Sequence, residues 1–231
     1  MKKLLLMTIV LLVSGAILAQ GSAKTTATAT KSVLAFHAGP SFPVGDFASN
    51  DFDNEQAGFA KTGFTIDLNY GYQFHPNAGI AASVFYNKYN MHNVVMDIVL
   101  EGRLNEEVTL DIMDNWQFYG ITAGPMLTFG LAKNIWTDLR LMGGVVNTKS
   151  PKISYEGELL EKAHWSIAPA LQGGLDLRFG TGKNMFIFTN LDYLYMKTEF
   201  TASSSEWFDE GEKFKQKISV LNLTGGIGIK F

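Results

Sequence analysis

An eight-stranded antiparallel up-and-down transmembrane β-barrel is the fold this sequence predicts, and three observations predict it. The final segment alternates strictly, with Leu221, Leu223, Gly225, Ile227, Ile229 and Phe231 on one side and Asn222, Thr224, Gly226, Gly228 and Lys230 on the other. A strand divided in this way has one face in an apolar medium and the other against a polar, crowded interior. The first residues form an export signal. Between the two ends, strand-like segments are joined by connections that alternate strictly between long and short.

Residues 1–19 read as a signal peptide: Lys2 and Lys3 give the positive start, Leu4 to Val13 the apolar run, and Ser14 to Ala19 the small-residue stretch before cleavage. Ala19 is the first choice for the cleavage site and Ala23 the second. The apolar run is too short for a membrane helix, and no Cys follows it to carry a lipid anchor. Residues 20–32, rich in Thr and Ala, read as a flexible lead-in. Strands are then predicted at about 33–45, 62–74, 79–90, 116–130, 135–147, 164–179, 185–199 and 216–231. The second is the cleanest of the internal ones, with Phe64, Ile66, Leu68, Tyr70, Tyr72 and Phe74 alternating against Thr65, Asp67, Asn69, Gly71 and Gln73. The sixth alternates from Trp165 to Phe179. Each is long enough for the roughly 9–11 tilted residues of a bilayer crossing.

Short turns are expected at 75–78, 131–134 and 180–184, and long loops at 46–61, 91–115, 148–163 and 200–215. A membrane barrel has this asymmetry, with turns and both termini in the periplasm and loops outside. Val94 to Leu100 and Val108 to Met113 read as a hairpin that continues the third and fourth strands beyond the membrane. Counting them as crossings would instead make a ten-stranded barrel. Aromatics are expected in two interfacial belts, Phe74, Phe129, Phe179 and Phe231 on the turn side and Phe64, Tyr86, Trp165 and Tyr195 on the loop side. Ala38-Gly39-Pro40 and Ala123-Gly124-Pro125, echoed by Ala168-Pro169, predict a bulge or bend, because Pro removes a ladder donor.

Composition excludes several function classes. The chain has no cysteine, 23 Gly and 13 % aromatics. Its formal charge is −3, and without Lys2 and Lys3 there are 17 basic against 22 acidic residues, or −5. That balance excludes a basic nucleic-acid surface.

The export signal, the strand pattern and the final Phe231 resemble the small OmpA/OmpX-like barrels, and more closely the outer-membrane β-barrel domain proteins often labelled "porin family". The resemblance covers about residues 33–231. It implies a monomer in the outer membrane of a Gram-negative bacterium, in contact with lipid and lipopolysaccharide. It also implies that Phe231 forms part of the signal read by the barrel assembly machinery. From the sequence itself, no periplasmic domain is expected after Phe231.

An eight-stranded barrel is only wide enough to be filled by side chains. The inward set contains Asp67, Asp138, Arg140, Asp176, Arg178, Asp192 and Lys230, with Asn69, Gln172, Asn190 and Asn222. Buried charges must be paired and hydrogen-bonded, so a salt-bridged polar plug is expected in place of a pore. His164-Trp165-Ser166 is loosely similar to the His-x-Ser of outer-membrane lipid A deacylases, where His serves as base to Ser. Here Ile167 stands where that motif has Asn, and the face is lumenal, so no enzyme is predicted. The remaining histidines, His37, His75 and His92, form no ligand spacing. The carboxylates of Asp51, Asp53 and Glu55, and those of Asp209, Glu210 and Glu212, lack the glycine placement of a calcium loop. No cofactor or metal site is predicted. The functions left are a structural or surface-interaction barrel, an accessory barrel in secretion or envelope biogenesis, and a narrow channel. Loop 91–115, with Asp97, Glu101, Glu106, Glu107, Asp111 and Asp114 against Arg103, is the expected place for a protein partner.

Overall fold

A computed structural model describes residues 32–51, 54, 56–91, 94–98, 106–112, 115–155, 158–182, 184–201 and 213–231. The expected signal peptide and all but the last residue of the lead-in lie outside these. Twelve strands follow in order: β1 (Ser32–Pro43), β2 (Ala60–His75), β3 (Ala78–Met91), β4 (Val94–Ile98), β5 (Glu106–Ile112), β6 (Trp116–Ala132), β7 (Ile135–Lys149), β8 (Ile153–Tyr155), β9 (Glu158–Glu161), β10 (Trp165–Gly180), β11 (Met185–Thr201) and β12 (Lys213–Lys230). Eight of them close into one antiparallel barrel in the order β1-β12-β11-β10-β7-β6-β3-β2. Every one of the eight predicted crossings is present, within about three residues at each end.

The ring closes between the first and last strands. Val33 pairs with Lys230 and Pro43 with Val220, while Ser32 and Phe231 exchange both backbone hydrogen bonds at 3.0 Å. Side chains alternate around the ring as the period of two requires. On β2, Phe64, Ile66, Leu68, Tyr70, Tyr72 and Phe74 are 38–66 % exposed, while Thr65, Asp67, Asn69 and Gln73 are buried. Leu139, Leu141, Leu171, Leu191, Leu223 and Ile227 extend the exposed apolar face around the wall. An apolar surface of this extent belongs in lipid. On the loop side an aromatic row runs across it, with centroid distances of 5.9 Å from Phe64 to Tyr86, 4.9 Å from Tyr86 to Tyr119 and 5.9 Å from Tyr119 to Trp165. On the turn side Phe74 and Phe231 are exposed, and Phe129 and Phe179 are half-buried.

Neither β4 nor β5 enters the ring, so the barrel has the expected eight strands and 94–98 with 106–112 form the expected hairpin outside it. Two other expectations need correction. The β4–β5 hairpin is joined by a second one, β8 and β9, in a separate sheet ordered β4-β5-β8-β9. Its register runs Val94↔Leu110 to Ile98↔Glu106, then Asp111↔Ser154 and Ile112↔Ile153. One edge of the 91–115 hairpin is therefore already paired within the chain. The pairing strands in loop 148–163 are three and four residues long, too short to leave a period in the sequence. The prolines at 40, 125 and 169 do not mark bulges, since the register passes each of them without a shift. Gly39 and Gly124, one residue earlier, face the lumen where the next strand's backbone presses in. A Cβ on either would lie 2.3 Å from Leu223 O or 2.1 Å from Leu141 O.

Closed barrels withstand detergent at room temperature and open on boiling, so an unboiled sample should run at a different position on a denaturing gel. Equal mobility before and after boiling would refute the closed ring. Because the chain lacks cysteine, single Cys labels report topology. A membrane-impermeant maleimide should modify Cys at Asn105 in whole cells and leave Cys at Asn77 untouched; the reverse would invert the barrel.

Candidate functional site

Buried charged side chains converge in the interior, which has two layers. The layer nearer the turns is ionic. Arg140 on β7 reaches Asp176 Oδ1 on β10 at 3.0 Å and Asp192 Oδ1 on β11 at 3.1 Å. Arg178 on β10 clasps Asp138 on β7 from two nitrogens, each 2.7 Å from a carboxylate oxygen. Register explains the choice of partners, since Asp176 faces Asp138 and Gly174 faces Arg140 on the neighbouring strands. A Cβ at Gly174 would lie 1.9 Å from Asp192 Oδ1, so this glycine leaves the room in which Arg140 and Asp192 meet. Thr128 donates to Asp138 at 2.6 Å and Gln73 donates to Thr128 at 2.7 Å.

A second set of bonds runs across the barrel at the same depth. Asn190 donates to Asp176 at 2.5 Å, and Thr224 donates to Asn190 at 3.2 Å. His37 Nδ1 lies 2.7 Å from the Thr224 hydroxyl, and its Nε2 lies 2.5 Å from Asn69 Nδ2 and 3.6 Å from Asp67. Ser83 is 2.8 Å from both Asp67 oxygens. Six of the seven charged residues predicted for the lumen thus lie in this layer in two bonded sets, Asp138 with Arg178 in one and Asp67, Arg140, Asp176 and Asp192 in the other. Lys230 does not join their carboxylates. It sits at the turn-side mouth with its ammonium 3.6 Å from the centroid of the Trp136 ring. Sequence reading also missed His37, whose inward position on β1 is the relevant signal.

The layer nearer the loops is apolar, which the expectation of a wholly polar plug did not include. Tyr89, Trp116, Phe118, Val146, Leu194, Met196, Phe200, Ile218 and Val220 are buried there as one cluster. A four-residue 3-10 turn, Gly45–Ala48, folds from the first loop into the mouth and inserts Phe47, which is fully buried. Its ring meets Tyr89 at 5.5 Å and Trp116 at 5.6 Å between centroids. Gly58 lies against this ring, where a Cβ would come within 2.5 Å of it, and Trp116 Nε1 donates to Gly58 O at 3.0 Å. Between the two layers Ser41, Asn87 and Asn222 share hydrogen bonds with the Tyr89 hydroxyl and with one another. Alternation could not reveal this upper layer. At the top of β6 both the inward Trp116 and Phe118 and the outward Tyr119 and Ile121 are apolar.

Ser166 of the His-x-Ser segment donates its hydroxyl to the main-chain carbonyl of Glu199 at 2.5 Å. Among the described residues no three His, Asp or Glu side chains gather as a metal would require. Asp53, Glu55 and residues 209–212 lie outside them.

A closed ring of eight strands, an apolar wall, short turns at one end and long loops at the other together leave one architecture. The fold is that of the small outer-membrane β-barrels. Among solved structures the chain is similar to Neisserial surface protein A, with 13 % identity over 88 % of this chain and 98 % of that one, at a TM-score of 0.50. It is similar to the same degree to OprG of Pseudomonas aeruginosa, with 13 % identity over 88 % and 96 % of the two chains, TM-score 0.50. The attachment invasion locus protein of Yersinia pestis follows with 15 % identity over 87 % and 99 %, TM-score 0.45. No family model matches the chain, and no curated protein matches it. At these identities the likeness is one of fold.

Arg178→Ala strands the Asp138 carboxylate and should destabilise the barrel by about 3–5 kcal/mol. Replacing Asp138 by Ala as well should recover part of that loss. Phe47→Ala should cost about 3–5 kcal/mol through the cavity it leaves. Denaturant unfolding of the detergent-folded barrels measures all three, and additive losses for the Arg178 and Asp138 changes would refute their pairing.

Proposed function

We propose that this chain is a small outer-membrane barrel with a structural or surface-interaction role, acting through its wall and its external strands. The supporting observation is the filled lumen. Phe47 and its aromatic neighbours occupy the outer half, and paired Arg140 and Arg178 occupy the inner half. A passive solute path would have to break both layers. An accessory role in secretion or envelope biogenesis uses the same surfaces and differs only in the partner.

The external sheet is where a protein partner would dock. Among the described residues its outer strands β4 and β9 each have one neighbour in the sheet, and an open strand edge can take up another chain by strand addition. The carboxylates at Asp97, Glu106, Glu107 and Asp111 on β4 and β5 favour a basic protein surface or a divalent-cation bridge. Insertion would run through the assembly machinery, with Phe231 as part of the recognised strand; its ring lies on the lipid face, 65 % exposed.

Purified protein in planar bilayers should show no steady conductance. A large, stable channel would overturn the plugged barrel and favour transport. Deleting Phe231 should lower the yield of inserted barrel in cells while leaving the fold of the detergent-refolded protein intact. Equal membrane yield for the truncated chain would remove the assembly role. A photo-crosslinker at Asn105 should capture the partner in intact cells, and its identity separates a surface role from an envelope-biogenesis one.

A further inference from the structure

Of the lumen carboxylates, Asp67 alone has no guanidinium in contact among the described residues. Arg178 balances Asp138, and Arg140 lies 3.0 Å from Asp176 and 3.1 Å from Asp192. The Arg140 group already sets two carboxylates against one guanidinium. Asp67, buried on β2, faces Arg140, Asp176 and Asp192 across the lumen. Beside it β3, β6 and β12 present Ser83, Thr122 and Thr224, which carry no charge. Its register partner on β1 is His37.

The hydrogen bonds around His37 show what that ring offers. Asp176 Oδ1 is held by Arg140 and can only accept, so Asn190 turns its amide nitrogen to it and its amide oxygen to Thr224. The Thr224 hydroxyl hydrogen is thereby committed to Asn190, and the hydroxyl oxygen accepts from His37 Nδ1–H. The other ring nitrogen, Nε2, lies 2.5 Å from Asn69 Nδ2, which donates to it. His37 is then a neutral imidazole. It stands 3.6 Å from Asp67, outside the 2.7–3.1 Å of the arginine pairs, and brings no counter-charge.

Ser83 supplies an independent observation. Its hydroxyl lies 2.8 Å from both Asp67 oxygens, yet it has one hydrogen to give. Against an ionised carboxylate that hydrogen is shared and both bonds are weakened. With a proton on one Asp67 oxygen, Ser83 donates to the other oxygen and accepts from the protonated one, and both contacts are full hydrogen bonds.

We propose that Asp67 is a proton-binding site inside the barrel: its carboxyl is neutral, donates to Ser83, and releases its proton in alkaline medium, where the bare carboxylate loosens the filled lumen. A carboxylate buried without a cation is disfavoured, and taking up a proton removes the charge. The inference rests on the lumen network and not on any partner of the external strands. Its sign follows from linkage. The folded chain keeps a proton that the unfolded chain gives up above the ordinary carboxylate range, so unfolding becomes easier as pH rises.

Denaturant unfolding of the full detergent-folded barrel is compared with that of Asp67→Asn from about pH 5 to about pH 7. The ratio of wild-type to variant unfolding constants should rise about tenfold per pH unit, the mark of one proton lost on unfolding. For Asp176→Asn, which removes a carboxylate bonded to Arg140, the same ratio should stay flat. A flat or falling ratio for Asp67→Asn, or an equal rise for Asp176→Asn, overturns the assignment. The infrared spectrum gives a second reading that does not depend on the folding of Asp67→Asn. At about pH 6, above the ordinary carboxylate range, the wild type should show the carbonyl stretch of a protonated carboxyl. Ser83→Ala should move that band to higher frequency by removing its hydrogen bond. Absence of the band, or a band that Ser83→Ala leaves in place, overturns the proton site.

Discussion

The narrowness of an eight-stranded ring is the constraint on which the rest depends. Its interior admits side chains and little else, so each inward residue must find its partner on another inward residue. Arg140 shows the consequence. Its guanidinium lies between carboxylates from the next two strands, Asp176 and Asp192, and Gly174 lacks a side chain where they meet. A buried charge without such partners would cost several kcal/mol. Near the loops the same space is filled by ring packing, and Gly120 and Gly58 play the part there that Gly174 plays below. A Cβ at Gly120 would stand 2.2 Å from the Phe85 ring.

Most of the ring is legible in the amino-acid order because lipid and lumen impose opposite demands on alternate residues. On β2 the contrast between Phe64, Ile66 and Leu68 and Thr65, Asp67 and Asn69 holds along the whole crossing. The ionic layer is legible for the same reason, since a charged residue in a wall otherwise facing lipid has only one side to occupy. Legibility ends where the two sides make the same demand. At the tops of β3 and β6 the interior is apolar too, so Tyr89, Trp116 and Phe118 resemble wall residues. Phe47 is harder still, because it lies in a loop and its burial depends on the chain turning back at Gly45, which has φ = +63°. The external sheet is only half legible. A five-residue and a seven-residue strand reveal themselves, while the short β8 and β9 acquire meaning only through their register with β5.

Function divides along the same lines. On the proposed reading, a lumen filled in both layers leaves the outer surface as the working part of the molecule.

The seam between β1 and β12 carries a further consequence. His37 meets Thr224 across it, Ser41 meets Asn222, and Asp46 reaches Lys217, while backbone bonds join Ser32 to Phe231 at its lower end. The two strands that arrive first and last are thus riveted by side chains as well as by their ladder. Parting them would expose His37 and Ser41, both buried, to hydrocarbon, where neither finds a replacement partner. The wall consequently has no sideways door at this seam, since opening one for a lipid or peptide would break these bonds in hydrocarbon.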